Sequence, residues 1–575
     1  MNRFEADGEA GERTPVLIVG GSLVGLSTSL FLGRLGVPHV LVERHSGTSI
    51  HPRGRGNNVR TMEVFRTAGV ERRIEEAASV LSGNNGILQT PSLVGDVGEW
   101  LFKEIDPGGG VARFSPAGWC LCSQNDLEPV LLERARELGG DLRFSTELMS
   151  FEQDAEGVTA QVKSRETGEH TTIRADYLVA ADGPRSPIRE RLGIGQTGPG
   201  DLFHNVSVTF LSRDLAAVVG DRRFIVCYLT NPDADGALLP VDNEERWVFH
   251  APWHPEHGET LEEFTDERCR EHIRRAVGVP DLHVEITGRA PWHAAERIAE
   301  RYADGRVFLV GDSAHEMPPT GAFGSNTGIQ DAHNLAWKLS AVLGGWAGPG
   351  LLASYDAERR PVAEATSARA SSRSVEHSHP GYTPGPEAGA GGPGGAGGPG
   401  GPGGPGGPGA GGGPGGRRGG VLNVALGYRY PQGAVHGADP TLPVVPDGLR
   451  LTGEPGSRAP HLWLNRAGTR LSTLDLYERT PVLLSGAAGT GGWHRAATEL
   501  AEELAVPVAS YRIGGGADAE LSPVASDIDW AEVHGVGPDG AVLVRPDGFV
   551  AWRSEGPSED PAAELRRVLK AVLDR

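Results

Sequence analysis

Cysteine is nearly absent from this chain: there are four in 575 residues. Cys120, Cys122, Cys227 and Cys269 show neither the CxxC of a redox couple nor the paired spacing of a zinc site. That pattern argues against a disulfide-stapled secreted scaffold and fits a reducing cytoplasm. Cys120 and Cys122, two apart on an expected strand, read as small buried residues on one face. Long apolar runs are missing too. No stretch is long enough to span a bilayer, and the leading MNRFEADGEAGERTP lacks the apolar core of a secretory signal. Positive charge is in deficit. Lys plus Arg number 54 against 75 Asp plus Glu, a formal net charge of -21, which argues against nucleic acid or an anionic membrane as partner.

Glycine and proline, in contrast, are abundant, at 84 and 42 residues. Much of that surplus lies in one stretch, Pro384 to Gly420, which reads as a flexible linker rather than a collagen helix. A chain of this length needs more than one core, so two or three domains are expected. The first begins with a βαβ pattern: the apolar strand Val16 to Val19, the turn Gly20-Gly21-Ser22-Leu23-Val24-Gly25, a helix, and a second strand His39 to Val42 closed by Glu43. Gly20 and Gly25 fit a dinucleotide fingerprint, while Ser22 replaces its middle glycine and is small enough for a diphosphate to approach. Glu43 stands where a ribose-binding acid belongs, and Arg44 beside it can cover the adenine side. Further on, a buried strand Val307 to Val310 ends in Gly311-Asp312, and a loop rich in glycine and proline precedes the helical run Ile329 to Leu343. An Asp at a strand's carboxyl end can accept from a polyol, and free N–H groups opening a helix can hold partial negative charge.

Gly311-Asp312 followed by Pro318-Pro319-Thr320-Gly321 and Gly324-Ser325-Asn326 resembles the second FAD motif of the class A flavoprotein monooxygenases, the p-hydroxybenzoate hydroxylase superfamily. Ala181-Asp182-Gly183-Pro184-Arg185-Ser186 resembles the Asp-Gly motif of the same enzymes. The resemblance implies FAD contacts at Gly20, Ser22, Gly25, Glu43, Arg44, Arg53, Gln124, Asp182, Asp312, Pro319, Gly324, Ser325 and Asn326, with Gln124 at the ribityl chain. It further implies that NADPH visits without a Rossmann domain of its own, Asp182 being implicated in both cofactor contacts. No metal site is expected. The cysteine-free segment from Val421 resembles the thioredoxin-like C-terminal domain of phenol and polyketide hydroxylases, with packing or subunit contact as its role. The expected fold is therefore α/β: a Rossmann-like FAD-binding domain (1–200 and 296–380), an inserted α+β substrate domain (201–295), the linker (381–420) and a thioredoxin-like domain (421–575).

What the resemblance implies about function is an FAD- and NADPH-dependent monooxygenase. It would hydroxylate a polycyclic aromatic polyketide of antibiotic-type biosynthesis with O2, through a flavin C4a-hydroperoxide. Tyr228, on a strand and sharing a face with Phe224 and Val226, and Arg373, on an arginine-rich helix with Arg369, are the candidates for assisting a phenolate. A simple phenol or resorcinol hydroxylase and a Baeyer–Villiger monooxygenase fit the same scaffold. An NAD-linked Rossmann dehydrogenase and a scaffold protein with a vestigial flavin are the readings outside the family. A homodimer is left open, and His315, read as a turn or core residue, and His333, on a helix, are left outside the site.

Overall fold

The computed structural model describes residues 11–95, 98–319, 321–376, 420–487, 489–516, 518–525 and 528–575, with side chains of the helix ending at 376 described as far as 371. The linker expected at 381–420 lies outside the described residues, save Gly420. Strand β1 (Glu12–Val19) is the centre of an eight-stranded sheet. Val16 to Val19 are buried without alternation, as happens where both faces of a parallel sheet are covered. Helix α1 (Leu23–Arg34) leads to β2 (His39–Val42), which lies parallel beside β1. Helix α2 (Gln124–Glu137) is followed by β3 (Asp141–Arg143) outside β2, and β4 (His170–Ala180) lies parallel on the other side of β1.

The chain then leaves for a second eight-stranded sheet. This contains β5 (Gln196–Leu211), β6 (Phe224–Leu229), β7 (Gly236–Pro240), β8 (Arg246–Trp253) and, after helix α3 (Asp266–Val277), β9 (Glu285–Ala299). Strands β5 and β9 are 16 and 15 residues long and pair antiparallel through several irregularities of register. The domain boundaries expected at 200/201 and 295/296 fall at facing positions of this ladder, Gly200 opposite Glu296 and Asp201 opposite Ala295. Besides Arg223 to Leu229 and Trp247 to His250, which fall on β6 and β8, the sequence shows strand pattern in β5 only at Val206 to Phe210 and near β9 only at His283 to Ile286. The remainder of both strands is polar or half-exposed and offers no clean apolar alternation. After β9, strand β10 (Val307–Leu309) rejoins the first sheet parallel to β4.

Helix α4 (Phe323–Leu343) begins six residues before the expected Ile329, so Gly324-Ser325-Asn326 form its first turn rather than a loop. Phe323 explains the shift, because its ring is buried and anchors the first turn. Helices α1 and α4 cross closely: a Cβ on Gly328 would lie 2.8 Å from both Gly311 Cα and a Val24 methyl. Helix α5 (Ser354–Glu376) follows.

The C-terminal unit contains β11 (Val482–Gly486), α6 (Trp493–Glu503), β12 (Ala509–Ile513), β13 (Ala541–Val544), β14 (Val550–Ser554) and α7 (Pro561–Leu573). Its order β12-β11-β13-β14, with the first pair parallel and the others antiparallel, is the thioredoxin arrangement. This unit is not tethered loosely. Trp337 and Ala341 of α4 share one apolar core with Trp493, Leu565 and Leu569. Buried charges also match across the contact. Glu358 of α5 accepts from Arg545 at 2.7 Å and from Lys338 at 2.8 Å, and Arg458 donates to Glu63.

Candidate functional site

The carboxyl ends of β2, β1, β4 and β10 stand side by side, which is where open parallel sheets bind ligands. Gly20 follows β1 with φ +108, and a Cβ there would come within 2.2 Å of the Ala181 carbonyl after β4. At Gly25 a Cβ would meet the Gly20 carbonyl at 1.9 Å. Both positions therefore require glycine, and the turn from β1 into α1 presses on the Asp-Gly segment. The Gly21 N–H donates to Glu43 at 2.6 Å, tying the end of β2 to the same turn. The other oxygen of Glu43 accepts the His45 N–H at 2.8 Å, so this acid is engaged before any ribose arrives. Arg44 is exposed beside it.

On the far side, Asp312 follows β10. Solvent reaches Asp312 although protein surrounds its carboxyl, as in the floor of a cleft, and burial raises its pKa. Asp182 behaves similarly: burial raises its pKa, and Oδ1 is buried without a hydrogen-bond partner. Gly324 at the start of α4 has nothing but Met317 Cβ, 3.9 Å away, near the place of a side chain. Pro319 precedes it, accepting the Ala322 N–H at 3.0 Å. Thr320 lies outside the described residues. Gly54 adjoins Ser325 and Gln124, and Gln124 Nε2 reaches the Ser22 hydroxyl at 2.9 Å. Two aspartates in a cleft, an orphaned buried oxygen and glycines that open space beside helix starts fit a ligand carrying a diphosphate and a polyol.

Several residues of the motifs brace the protein. Asn326 accepts the Asn58 N–H at 2.8 Å and donates to the Gly56 carbonyl at 2.7 Å, fastening the loop after residue 50 to α4. Within that loop Arg55 donates to backbone carbonyls of β7 and of Ile225, and Arg60 pairs with Glu63 at 3.0 Å. Arg53, exposed near Asp312, is the arginine of the three that remains open to a ligand. Arg189 holds the Ser313 and Pro184 carbonyls, both at 2.9 Å, and so links the two motif turns. His315 is buried against Asp331 at 2.7 Å, outside the cleft.

The second sheet turns one face to this cleft. A row runs across its strands from Gln89 through Tyr228, Ala237 and His250 to Ser207. Ser207 shares a hydrogen bond of 2.9 Å with His51 of the cleft loop, which shows that the row faces the first domain. His250 stacks on Trp292 at 5.4 Å. Tyr228 and Val226 belong to this face. Phe224 does not: the register breaks between Phe224 and Val226, and the ring packs instead in the core under α3. Burial pushes the Tyr228 phenol up to about 12, so it is a hydrogen-bond donor rather than a base at neutral pH. The Arg373 side chain lies outside the described residues, while Arg369 is spent on Asp447 at 2.8 Å.

Two family descriptions match the chain: an FAD binding domain over residues 13–370 and the C-terminal domain of aromatic-ring hydroxylases over 452–575. The chain belongs to the FAD-dependent aromatic-ring hydroxylases. It is similar to a Streptomyces halstedii protein named "putative polyketide hydroxylase", with 70% identity over 99% of each chain. The tetracenomycin A2 monooxygenase-dioxygenase of Streptomyces glaucescens is 41% identical over 98% of this chain and 97% of its own. Among solved structures, aklavinone-11 hydroxylase in a ternary complex with FAD and aklavinone superposes with a TM-score of 0.85 at 37% identity, covering 99% of this chain and 100% of its own. The hydroxylase is thus an FAD-dependent monooxygenase of class A.

Sequence reading missed several groups in this hydroxylase. His51, Ser207, His250 and Trp292 come from separate elements and meet by topology alone, so no spacing announces them. His254, Glu256 and His257 also gather, with ligand atoms within 4.8 Å of one another, on an exposed turn after β8. Their local spacing in His-Pro-Glu-His was the available signal.

Proposed function

We propose that this hydroxylase oxygenates an aromatic ring of a polycyclic polyketide, with FAD resident in the cleft, NADPH as reductant and dioxygen as co-substrate. The observation that carries the substrate side is the sheet face that joins the cleft: Tyr228, His250 and Trp292 offer flat, partly polar walls, and His51–Ser207 connects them to the cleft loop. The relatives named for tetracenomycin and aklavinone support a polycyclic rather than a single-ring substrate. Gly20, Ser22 and Gly25 receive the diphosphate, Glu43 and Arg44 the adenosine end, and Gln124, Asp312 and Pro319 the ribityl side. Asp182, Arg53 and the first turn of α4 at Gly324, Ser325 and Asn326 complete the cradle. When bound, FAD supplies the redox chemistry that activates dioxygen.

The chain's own residues orient and polarise. Tyr228, kept neutral, donates to a ring oxygen of the substrate. His51 is kept neutral by burial, aided by Arg53, and at the sheet face it can take a proton passed through Ser207. A reducing cytoplasm suits the chain, since its four cysteines are all free and buried. No helix among the described residues is long and apolar enough to cross a membrane. The test is NADPH consumption by the yellow purified protein with a hydroxylated anthraquinone, with phenol and with no addition. Stimulation by the polycycle alone supports the reading. Equal stimulation by phenol points to the simple phenol hydroxylase.

A further inference from the structure

Glu128, on α2, is 0 % exposed, and no Lys, Arg or His among the described residues pairs with it. Three neutral donors hold it instead. The Ser22 hydroxyl donates to Oε1 at 2.6 Å, the Gln124 amide donates to the same oxygen at 2.7 Å, and the Ser49 N–H donates to Oε2 at 2.7 Å. A buried carboxylate without a cation is costly, so such an arrangement persists where it does a job nothing apolar could do. Ser22 is the residue that stands in place of the fingerprint's middle glycine. Its hydroxyl proton is committed to Glu128 and its oxygen accepts from Gln124 at 2.9 Å, so the side chain is fixed in one direction.

We propose that Glu128 is a positioning residue for the FAD diphosphate: by capturing the Ser22 hydroxyl it keeps that side chain off the diphosphate's path and allows serine where glycine is otherwise needed. It sets Gln124 and the Ser49 backbone at the same time, so one carboxylate organises three segments of the cradle. The backbone N–H groups opening α1 are then left to receive the diphosphate. The inference rests on FAD occupying the cleft.

The experiment is equilibrium titration of the flavin-stripped full-length protein with FAD, and separately with riboflavin, which lacks the diphosphate. The variants are Glu128→Ala, Ser22→Gly and the double variant, with thermal melting as a control for folding. Glu128→Ala should raise the FAD dissociation constant about tenfold or more in the Ser22 background, and by a much smaller factor when it is added to Ser22→Gly. Riboflavin, which keeps the ribityl contact of Gln124 but lacks the diphosphate, should lose less affinity than FAD and show the same change in both Ser22 backgrounds. Should Glu128→Ala not fold, Glu128→Gln with and without Ser22→Gly makes the same comparison. Wild-type protein that takes up no FAD would remove the FAD reading itself. Wild-type protein that binds FAD while Glu128→Ala binds it equally well, or whose loss is the same in both Ser22 backgrounds, would overturn this proposal alone.

Discussion

Tyr228 and Glu478 show how burial sets the charge state of single side chains here. With its phenol near 12, Tyr228 is proposed to act by donating a hydrogen bond. Tyr228→Phe should lower the hydroxylation rate by roughly ten- to a hundredfold, leave FAD affinity unaltered and leave the pH profile between 7 and 9 in the same shape, as steady-state kinetics would show. A profile that loses an ionisation would mean that the phenol titrates. Glu478 takes a φ of 96, its N–H donates to the Pro546 carbonyl at 2.7 Å, and it meets Arg34 of α1 at 3.1 Å. Burial raises its pKa from 4.5 to about 7, outweighing Arg34. The folded chain therefore holds this proton up to near pH 7, whereas the unfolded chain releases it near 4.5. Stability contributed here is present below pH 4.5 and falls as pH rises to about 7. Relative to wild type, Glu478→Gln should gain on the order of 3 kcal/mol more at pH 8 than at pH 4.5 in chemical denaturation. Equal differences at both pH values would contradict that. At this scale the sequence was readable where backbone geometry demands a residue type, as at Gly20 and Gly25. It was silent at Glu128, whose partners lie on the turn into α1, near residue 49 and on α2 itself.

At the scale of elements, the start of α4 is set by contacts rather than by propensity. Glycine, serine and asparagine are poor helix interiors, yet Phe323 is buried beneath them and Asn326 binds the Gly56–Asn58 backbone. Asn326→Ala should leave two buried backbone groups without partners, cost about 1–3 kcal/mol in denaturant melts and weaken FAD binding, because the loop carrying Arg53 loses its anchor. Undiminished stability would show that the loop is held elsewhere. Short strongly apolar strands such as Val16 to Val19 and Val307 to Val310 were legible because local pattern specifies them. The long pair β5 and β9 was not, since each strand is stabilised by its partner more than by its own composition. The irregularity before Val226 that turns Phe224 away from Tyr228 has no local signature either.

For the whole molecule, the thioredoxin-like unit is a structural part of the hydroxylase. Glu358 is 1 % exposed and holds Arg545 across the contact, together with Lys338 from α4; Arg545 also bonds Asp547. Glu358→Gln leaves those two cations buried and undercompensated, and should cost about 3–5 kcal/mol with earlier proteolytic release of the C-terminal unit. Unaltered melting would mean that the apolar core around Trp337 and Trp493 carries the docking by itself. Sequence alone identified this unit and its lack of thiols, but a contact built from residues hundreds of positions apart cannot be read from spacing.

An aromatic polycycle is proposed to receive oxygen from dioxygen at this flavin cleft. The most direct measurement supplies the FAD-loaded protein with NADPH and a hydroxylated anthraquinone under isotopically heavy oxygen gas, and weighs the product. Substrate-stimulated NADPH oxidation and a product carrying one heavy oxygen atom are expected. NADPH oxidation indifferent to the polycycle, with hydrogen peroxide as its sole product, would contradict the proposal.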